Sequence, residues 1–452
     1  MTSIEEKQIP SSWQISTLGE VCEKPEYGWT TSASETGSVK FLRTTDITKE
    51  TLDWSRVPYC EKNPLDVARF RLTRGDIVVS RAGSVGVSAL IGDCPNAVFA
   101  SYLIRFRPLC GLDGKYAFYF LHSPGYWREI AAKSAGIALQ NVNARKLAAI
   151  AIPICPEPEQ GRIVAEIEKQ FTRLDAAVAA LKRVQANLKR YRASVLKAAC
   201  EGRLVPKQGE WSETTIRESV KIIDYRGRTP PFAESGIPHL RSSNIKQGRV
   251  LWTGLAFVSE DTFTKYMTRG LPEPGDILFT TEAPLGEVAP APTDQKFSVA
   301  QRIMILRSQV KELDPTFLMY QIMSPRFQAV LSGRGTGTTV TGVSSRNFRP
   351  APILLPPLSE QLRIVGEVER LFSIIEEIDM QVDASLKRAE RLRQSILKRA
   401  FEGKLVPQDP DDEPASVLLE RIRAKRETRG EEQKGKRESN PKSGRKKEVA
   451  SV

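Results

Sequence analysis

The sequence has very few of the residues on which metal centres and hydrolases depend. Its 452 residues include two histidines and six cysteines, and no two cysteines form a CxxC pair. A tetrahedral zinc site needs closely spaced cysteine and histidine ligands, so the sequence argues against one. With two histidines and no GxSxG motif, a Ser-His-Asp hydrolase is also unsupported.

Long apolar runs are missing as well. No stretch of about 18 consecutive apolar residues occurs, which argues against a membrane-spanning helix. The first ten residues, MTSIEEKQIP, are polar and lack the apolar region of a secretory signal. We therefore expect a cytoplasmic protein with reduced cysteines and no membrane partner.

Motifs for nucleotide chemistry are also absent. Residues 111–115 (GLDGK) are too short for a GxxxxGK[ST] phosphate loop. An adenine methyltransferase needs an Asn- or Asp-Pro-Pro-aromatic motif and a glycine-rich cofactor loop, but the nearest string here is TPPF at 229–232, in which Thr229 supplies no amide or carboxylate. Scattered carboxylates show no spacing that is diagnostic of a nuclease. No cofactor is therefore expected in this chain.

Charge gives the first positive indication of function. Lysine and arginine number 67 against 54 aspartate and glutamate residues, for a formal net charge of +13. A basic excess of this kind favours a polyanionic partner, of which nucleic acid is the first choice. On charge alone, a basic protein that is merely soluble stays an alternative.

One long block of sequence occurs twice. PEPEQGRIVAEIEKQF at 156–171 returns as PLSEQLRIVGEVERLF at 357–372, and RASVLKAACEGRLVP at 192–206 returns as RQSILKRAFEGKLVP at 393–407. Each copy follows a longer stretch that matches its counterpart only weakly. A chain of this length exceeds what one core usually supports, so the duplication indicates two domains that share one frame.

The repeated block predicts a long coiled-coil helix. Apolar residues recur at alternating three- and four-residue steps, with Gln185 at a position where the first copy was due an apolar residue. Prolines precede each copy, and Gly202 and Gly403 stand where a left-handed C-terminal cap favours glycine. The predicted seam comprises Ile163, Ile167, Phe171, Leu174, Val178, Leu181, Leu188 and Val195 in the first copy, and Ile364, Val368, Leu371, Ile375, Ile378, Val382, Leu386, Ala389, Leu392 and Ile396 in the second.

The weakly matched blocks are typical of mixed α+β domains. Short apolar and β-branched runs such as those at 75–92 and 275–292 are separated by glycine and proline turns, as in strands. Weak echoes link the two blocks. Trp13 matches Trp211, LRTTDI at 42–47 matches LRSSNI at 240–245, and GDI at 75–77 matches GDI at 275–277.

These patterns predict an α+β fold with internal pseudo-twofold duplication. Two β-rich mixed domains are expected to be held apart by two long antiparallel coiled-coil helices, each about 60 Å long. The tail has room for one short helix over 409–426 but is otherwise expected to be largely disordered, because it has too few apolar residues to fold. The predicted division is 1–155, 156–206, 207–356, 357–407 and a charged tail at 408–452.

Two divergent blocks, each closed by a PxxEQxRIV entry, a long helix and an EGxLVP exit, resemble the specificity (S) subunit of type I restriction-modification systems. The likeness covers roughly residues 9–407. It implies a DNA-binding protein without catalytic activity, in which each variable block is a target recognition domain for one half of a split site on double-stranded DNA. It also implies that the helices set the gap and dock two modification subunits.

The resemblance assigns the chemistry to partners. Modification subunits would bind S-adenosylmethionine and methylate adenine, and added restriction subunits would use ATP and Mg²⁺ to translocate and cleave unmethylated DNA. Two alternatives remain open at this point. One is a self-sufficient DNA methyltransferase or nuclease that dimerises through its long helices, and the other is a structural protein with two adhesive domains.

Base contacts require arginine or lysine for guanine and asparagine or glutamine for adenine, presented on loops. The candidates lie in both variable blocks, in groups near glycine-rich loops. In the first block they are Tyr27, Arg43, Thr44, Thr45, Arg81, Ser84, Gln140, Asn141 and Asn143. In the second block they are Tyr225, Arg226, Arg228, Arg241, Ser242, Asn244, Thr281, Arg334, Thr339 and Arg346.

Overall fold

The computed structural model describes residues 9–48, 52–134, 141–227, 229–335 and 341–438. The chain divides into two compact units. The first unit comprises residues 1–179 and 386–452, and the second comprises residues 180–385. Each unit therefore contains one variable block together with part of each repeated block.

The first unit begins with ten short strands and six short helices. The strands are β1 (Gln14–Thr17), β2 (Glu26–Tyr27), β3 (Ala33–Ser34), β4 (Lys40–Leu42), β5 (Tyr59–Cys60), β6 (Ile77–Ser80), β7 (Ser88–Leu90), β8 (Ala97–Phe99), β9 (Leu103–Phe106) and β10 (Ala151–Ile154). The helices are α1 (Leu18–Val21), α2 (Thr44–Ile47), α3 (Val67–Phe70), α4 (Gly114–Phe120), α5 (Pro124–Ser134) and α6 (Ala144–Ala148). They are followed by a long helix, α7 (Glu157–Cys200).

The strands of the first unit form three small sheets. β1 pairs antiparallel with β10, which ties the start of the domain to the strand before α7. A four-stranded sheet has the order β2-β9-β6-β7, and a second has the order β3-β5-β4-β8, in which β4 and β8 are parallel. The buried strands β6 and β9 separate a core on the α4 side from a smaller core around Leu42 and Phe99.

The second unit contains eleven strands and five short helices of its own. The strands are β11 (Ser212–Thr215), β12 (Val220–Asp224), β13 (Ile237–Leu240), β14 (Ile245–Lys246), β15 (Arg249–Val250), β16 (Ala256–Val258), β17 (Ile277–Thr280), β18 (Val288–Pro290), β19 (Ser298–Val299), β20 (Ile303–Ser308) and β21 (Pro352–Leu355). The helices are α8 (Ile216–Ser219), α9 (Glu260–Tyr266), α10 (Pro315–Met323), α11 (Pro325–Arg334) and α12 (Ser345–Phe348). A single 3-10 turn covers Ser242–Asn244.

The sheets of the second unit repeat those of the first. β11 pairs antiparallel with β21, as β1 does with β10. The order β12-β20-β17-β18 corresponds to β2-β9-β6-β7, and the parallel pair of β13 and β19 corresponds to β4 and β8. The predicted α+β class and domain duplication are therefore confirmed, although the two variable blocks share little sequence.

The two long helices have equal length. The second one is α13 (Leu358–Phe401), which like α7 has 44 residues, or about 66 Å of helix. Both end as predicted: Gly202 and Gly403 have φ values of 66° and 68°, a left-handed conformation that costs glycine little. At both ends the next residue, Arg203 or Lys404, donates its backbone N–H to a carbonyl in the last turn of the helix.

The helices run antiparallel within each unit. In the first unit the Arg393 guanidinium of α13 lies 4.3 Å from the Phe171 ring of α7 and forms an ion pair with Asp175. In the second unit the roles are exchanged: Arg192 of α7 lies 4.3 Å from the Phe372 ring of α13. Its partner is Glu376, at 3.3 Å. Because the first half of one helix meets the second half of the other in both units, the predicted antiparallel pairing is confirmed.

The seam between the helices has one polar contact and two exposed positions. Gln185 donates from Nε2 to Oδ1 of Asp383 at 2.7 Å, so the polar residue in the seam is paired across it. Ile378 and Leu392 were predicted to be packed, but they are 40% and 48% exposed. These two positions of the predicted seam are therefore not packed as expected.

The repeated EQ dipeptide fixes each helix to its domain. Glu159 accepts a hydrogen bond at 3.0 Å from Nε1 of Trp13, and Glu360 accepts the equivalent bond at 3.0 Å from Trp211. The next residue in each copy is a buried glutamine. Gln160 accepts at 2.8 Å from the backbone N–H of Asp113, at the start of α4, and Gln361 accepts at 2.9 Å from that of Asp314, at the start of α10. The motif thus couples helix orientation to domain orientation in both units.

The C-terminal segment differs from its prediction. Residues 415–438 form one helix, α14 (Ala415–Glu438), where a largely disordered tail was expected. Four residues spaced at helical intervals, Ala415, Leu418, Leu419 and Ile422, are at most 5% exposed and join the core of the first unit. Arg426 donates from Nη1 to the carbonyl oxygens of Gly19 and Glu20. A few apolar residues on one helical face are enough here, because the domain supplies the other half of the core.

The GDI motif forms a buried ion pair in each unit. Asp276 is 1% exposed and accepts from Nε of Arg307 at 2.8 Å and from the backbone N–H of Glu273 at 2.7 Å. In the first unit Asp76 is 2% exposed and accepts from Nε of Arg107 at 2.7 Å. The aspartate therefore closes the turn before β6 and before β17, and its role is structural.

We expect Asp276→Asn to destabilise the second unit by about 2 kcal/mol, because the buried side chain loses the charge that strengthens its hydrogen bonds from Arg307 and from the backbone N–H of Glu273. Arg307 keeps its ion pair with the Glu273 side chain, which limits the loss. Urea unfolding followed by thiol labelling of Cys200, the one cysteine between residues 180 and 385, measures this change. As a matched control, Asp261→Asn removes an ion pair with Lys265 that is exposed on both sides. The control should cost less than about 1 kcal/mol. Equal effects of the two substitutions would contradict the assigned role.

Candidate nucleic-acid interface

Three predicted residues of the first unit come together at one end of the β2-β9-β6-β7 sheet. The Arg81 guanidinium lies 5.0 Å from the centroid of the Tyr27 ring, and Arg81 Nε donates to Oδ1 of Asn141 at 3.5 Å. The Tyr27 hydroxyl accepts from the backbone N–H of Ala144 at 2.9 Å. Tyr102, directly across the sheet from Arg81, is 62% exposed. This end of the sheet presents a cation, an amide and two aromatic rings.

The other predicted residues of the first unit are dispersed. Arg43 forms a 3.0 Å ion pair with Asp46 at the start of α2, where Thr44 is half-buried and Thr45 exposed. Asn143 caps α6 by accepting from the backbone N–H of Lys146 at 2.9 Å, which gives it a structural function. Ser84 is exposed in the turn between β6 and β7, and Gln140 lies outside the described residues.

The corresponding end of the second unit carries two adjoining clefts. One, of about 300 Å³, is lined by Arg226, Gly227, Thr281, Glu282, Gln301, Arg302 and Gly342–Ser344. The other, of about 350 Å³, is lined by Thr229, Pro230, Phe232, His239, Arg241–Ser243, Ala283 and Ala300–Arg302. Both clefts share Gln301 and Arg302. Four predicted residues therefore line one connected surface: Arg226, Arg241, Ser242 and Thr281.

Four predicted residues of the second unit are largely buried and hydrogen-bond to the protein's own backbone. Tyr225 is 3% exposed and donates its hydroxyl to the Gly270 carbonyl at 2.8 Å. Asn244 donates to two carbonyls of the following loop, while Ser242 donates to the Ala283 carbonyl and Thr281 to that of Arg302. These side chains shape the loops, and their hydrogen-bonding groups point to the protein's own backbone.

The remaining predicted residues lie elsewhere. Arg334 is the last residue of α11, and its carbonyl accepts from Nδ2 of Asn347 at 3.5 Å. Arg346 is exposed on α12, just after the loop that lines the first cleft. Arg228 and Thr339 lie outside the described residues.

Sequence reasoning missed five residues of these surfaces: Tyr102, Phe232, Glu282, Gln301 and Arg302. The repeat itself held a signal for two of them. Asp76 and Asp276 are 200 residues apart, and the same offset aligns Arg302 of the second repeat with Tyr102 of the first. Phe232, which is 56% exposed, was considered only as part of a methyltransferase motif.

Two further features bear on function. Among the described residues, no group of three or more histidine, cysteine, aspartate and glutamate side chains is placed to hold a metal ion. A search of the same residues finds no helix that combines the length and the apolar character needed to cross a bilayer.

Comparison with known proteins decides the family. The sequence model of the "Type I restriction modification DNA specificity domain" matches twice, at residues 10–189 and 208–388. The chain belongs to this family. Each match covers one variable block and most of the long helix that follows it. The predicted identity as a non-catalytic specificity subunit of a type I restriction-modification system is thereby confirmed.

Relatives in this specificity family extend over most of the chain. The EcoKI specificity subunit of Escherichia coli strain K12 is 28% identical over 436 residues, which cover 89% of this chain and 91% of the relative. The EcoBI specificity subunit of Escherichia coli is 28% identical over 343 residues, covering 69% and 72%.

Two solved structures share the fold. One, from work on complex assembly and conformational transition of the type I R-M system, has a TM-score of 0.68 at 19% identity and covers 88% of this chain and 99% of that one. The HsdS subunit from Thermoanaerobacter tengcongensis has a TM-score of 0.50 at 19% identity, with coverage of 88% and 98%.

One titratable group of the second cleft is buried. His239 is 1% exposed on β13, and its Nδ1 lies 2.8 Å from Oγ of Ser298. Burial, together with the nearby Arg241 charge, lowers the pKa of His239 from 6.5 to about 4. The imidazole is therefore neutral near pH 7, and this specificity subunit presents its cationic charge in the cleft through arginine.

We expect the stability of the second unit to fall between pH 6.5 and pH 4. In that range the unfolded histidine binds a proton that the folded one does not, so the group's contribution is complete above pH 6.5 and decreases as the pH falls. The lost free energy of unfolding amounts to about 3 kcal/mol. Urea unfolding at several pH values, read by pulse labelling of Cys200, measures it.

His239→Gln should flatten this pH dependence, because glutamine does not titrate. His122→Gln, in the first unit, is the matched control and should leave the pH dependence of Cys200 labelling as it was. An unchanged slope in His239→Gln would show that other groups cause the acid sensitivity.

Proposed function

We propose that this chain is the address-reading component of a type I restriction-modification complex and that each unit reads one half of a bipartite site on double-stranded DNA. The observation that carries the proposal is the pair of equivalent sheet ends with different side chains. Tyr27, Arg81 and Asn141 occupy this place in the first unit, whereas Arg226 and Arg302 occupy it in the second. One frame with two different reading surfaces suits an asymmetric split sequence.

The chemistry of these surfaces supports direct base contacts. Arginine pairs with guanine, and asparagine or glutamine pairs with adenine, in the major groove. Aromatic side chains such as Tyr102 and Phe232 add apolar contact with bases. The net charge of +13 adds sequence-independent attraction to phosphate.

The long helices supply a surface for partners. Exposed apolar residues on α13 include Leu362, Ile374, Ile378, Met380 and Leu392. A cleft of about 270 Å³, lined by Leu181, Ile378 and Val382 with three polar neighbours, opens on the same helix pair. Apolar groups of this kind on a helix surface are typical of protein docking sites. We assign them to two modification subunits, with restriction subunits added in the full complex.

S-adenosylmethionine, ATP and Mg²⁺ belong to these partners, and no cofactor is assigned to this chain. We place the complex in the cytoplasm, where cellular and incoming DNA meet.

Incubation with labelled S-adenosylmethionine and DNA tests the proposal directly. The chain with its modification subunits should methylate adenine at one bipartite sequence, while either component alone should not. Methyl transfer by the chain alone would favour a self-sufficient methyltransferase instead.

A salt titration tests the DNA contact. The slope of log affinity against log salt should steepen by about 0.9 for each phosphate that the protein neutralises. DNA binding that does not respond to salt would contradict the proposal and favour a structural role.

A further inference from the structure

The two reading surfaces are built on the same three-segment backbone. In the first unit the N–H of Arg81 donates to the Tyr102 carbonyl at 2.9 Å, and the N–H of Val142 donates to the Arg81 carbonyl at 3.0 Å. In the second unit Thr281 donates to Arg302 at 2.9 Å, and Val343 donates to Thr281 at 2.9 Å. Position 81 therefore corresponds to position 281, and position 102 corresponds to position 302.

In this shared backbone the arginine stands at a different one of the two positions in each unit. The first unit has Arg81 after β6 and Tyr102 before β9, whereas the second has Thr281 after β17 and Arg302 before β20. Thr281 is 2% exposed and donates its hydroxyl to the Arg302 carbonyl, so it cannot take over the role of Arg81. At this pair of backbone positions each unit thus carries one arginine, after β6 in the first unit and before β20 in the second.

Arg302 is positioned by an acidic neighbour. Its Nε lies 2.6 Å from Oε1 of Glu282, and the two side chains are 48% and 34% exposed. Gly342 makes room for this glutamate, because a Cβ there would lie 3.2 Å from both Cβ and Oε2 of Glu282. A guanidinium carries five N–H donors, so an ion pair through Nε still allows a two-donor contact with a base.

The carboxylate also indicates what the arginine contacts. A phosphate approaching Arg302 would meet the negative charge of Glu282 at close range, which disfavours a backbone contact. The edge of guanine offers O6 and N7 as acceptors without a formal charge. The pair is therefore better suited to a base than to a phosphate.

We propose that Arg302, oriented by Glu282, reads a guanine in the half-site that the second unit recognises. This inference rests on the proposed function. Arg302 is the specificity-determining residue, and Glu282 is a positioning residue that acts through it.

The test uses the chain assembled with its modification subunits, which act on a DNA pool randomised at each position of the half-site. Arg302→Ala should relax one guanine position and reduce modification of the cognate sequence about 5- to 150-fold, the range for one good base contact. Glu282→Gln should weaken preference at that same position to a smaller extent. The other half-site should be unaffected in both variants.

Arg326→Ala is the matched control, since Arg326 also pairs with a glutamate of the second unit, Glu213, at 3.8 Å. It should keep the full preference at every position. Thermal unfolding of each variant checks folding, and Arg302→Gln provides a second variant if alanine impairs it. Glutamine favours adenine and should shift the preference away from guanine.

Three outcomes would overturn the inference. A uniform loss of modification with a salt slope reduced by about 0.9 would identify Arg302 as a phosphate contact. Unchanged preference in Arg302→Ala would remove the residue from recognition altogether, as would relaxation of the other half-site. Failure of the wild-type complex to select any bipartite site would instead contradict the proposed function, so the two failures are distinguishable.

Discussion

Exchanging residues 1–155 for the corresponding block of another specificity subunit is expected to replace one half of the target sequence and leave the other half as it was. Within the described residues of this block lie Tyr27, Arg81, Tyr102 and Asn141, which form the reading surface of the first unit. The reading surface of the second unit lies within residues 226–344. No described base-reading candidate is shared between the two blocks.

The junction of this exchange has a physical basis. The incoming block must restore the Trp13 hydrogen bond to Glu159 and the contact of Gln160 with the backbone of Asp113. A donor must also accept α14, whose Leu418, Leu419 and Ile422 complete the core of this unit. If those contacts are missing, the buried Glu159 carboxylate loses a partner, which typically costs 1–3 kcal/mol.

Sequencing of methylated adenines in cells that carry the exchanged chain and its modification subunits measures the new site. The reciprocal exchange of residues 207–356 is the control and should alter only the opposite half. Changes in both halves from a single exchange would show that the units do not read independently.

Deleting α14 should unfold the first unit while the second stays folded. The deletion removes Leu418, Leu419 and Ile422 from the core, and truncation of each such buried side chain typically costs 2–5 kcal/mol. Their sum is comparable with the whole stability of a domain, about 5–15 kcal/mol. The described core residues of the second unit include none from α14.

Thiol labelling separates the two units in one experiment. Cys22 and Cys155 are buried in the core of the first unit and should become reactive after the deletion, whereas Cys200 reports on the second unit and should stay protected. Leu418→Ala combined with Leu419→Ala should give the same pattern more weakly. The paired substitutions Arg423→Ala and Glu427→Ala, on the exposed face of α14, are the control and should leave all three thiols protected. Protection of Cys22 and Cys155 without α14 would contradict the role of this helix.

Several elements could be predicted because they depend on short-range pattern. The heptad steps in the repeated block predicted two long helices, and the glycines at 202 and 403 predicted where they end. The strand runs that follow each GDI motif also appear as β6, β7, β17 and β18. In each case the side-chain period or the conformational freedom of glycine acts over a few residues and is visible in the sequence.

The candidate site was less predictable, because residue type does not reveal burial. Tyr225, Asn244 and Thr281 have suitable chemistry for reading bases, yet the fold uses their polar groups to satisfy its own backbone. The pair of Arg302 and Glu282 is not visible in the sequence, because it joins segments that are 20 residues apart. The tail is expected to be largely disordered for a similar reason, since its four buried apolar residues gain a core only by packing on segments far away in the sequence.

The sequence by itself determined the duplication, the two helices with their caps, the α+β class and the family, because all of these follow from repetition, periodicity and motif spacing along the chain. Only the tertiary structure decided which polar side chains face outward, that Glu159 and Glu360 fix each domain to its helix, and that an arginine stands on opposite strands in the two units. The physical reason is that burial and hydrogen-bond partnership are set by contacts between distant segments, which local sequence patterns do not encode.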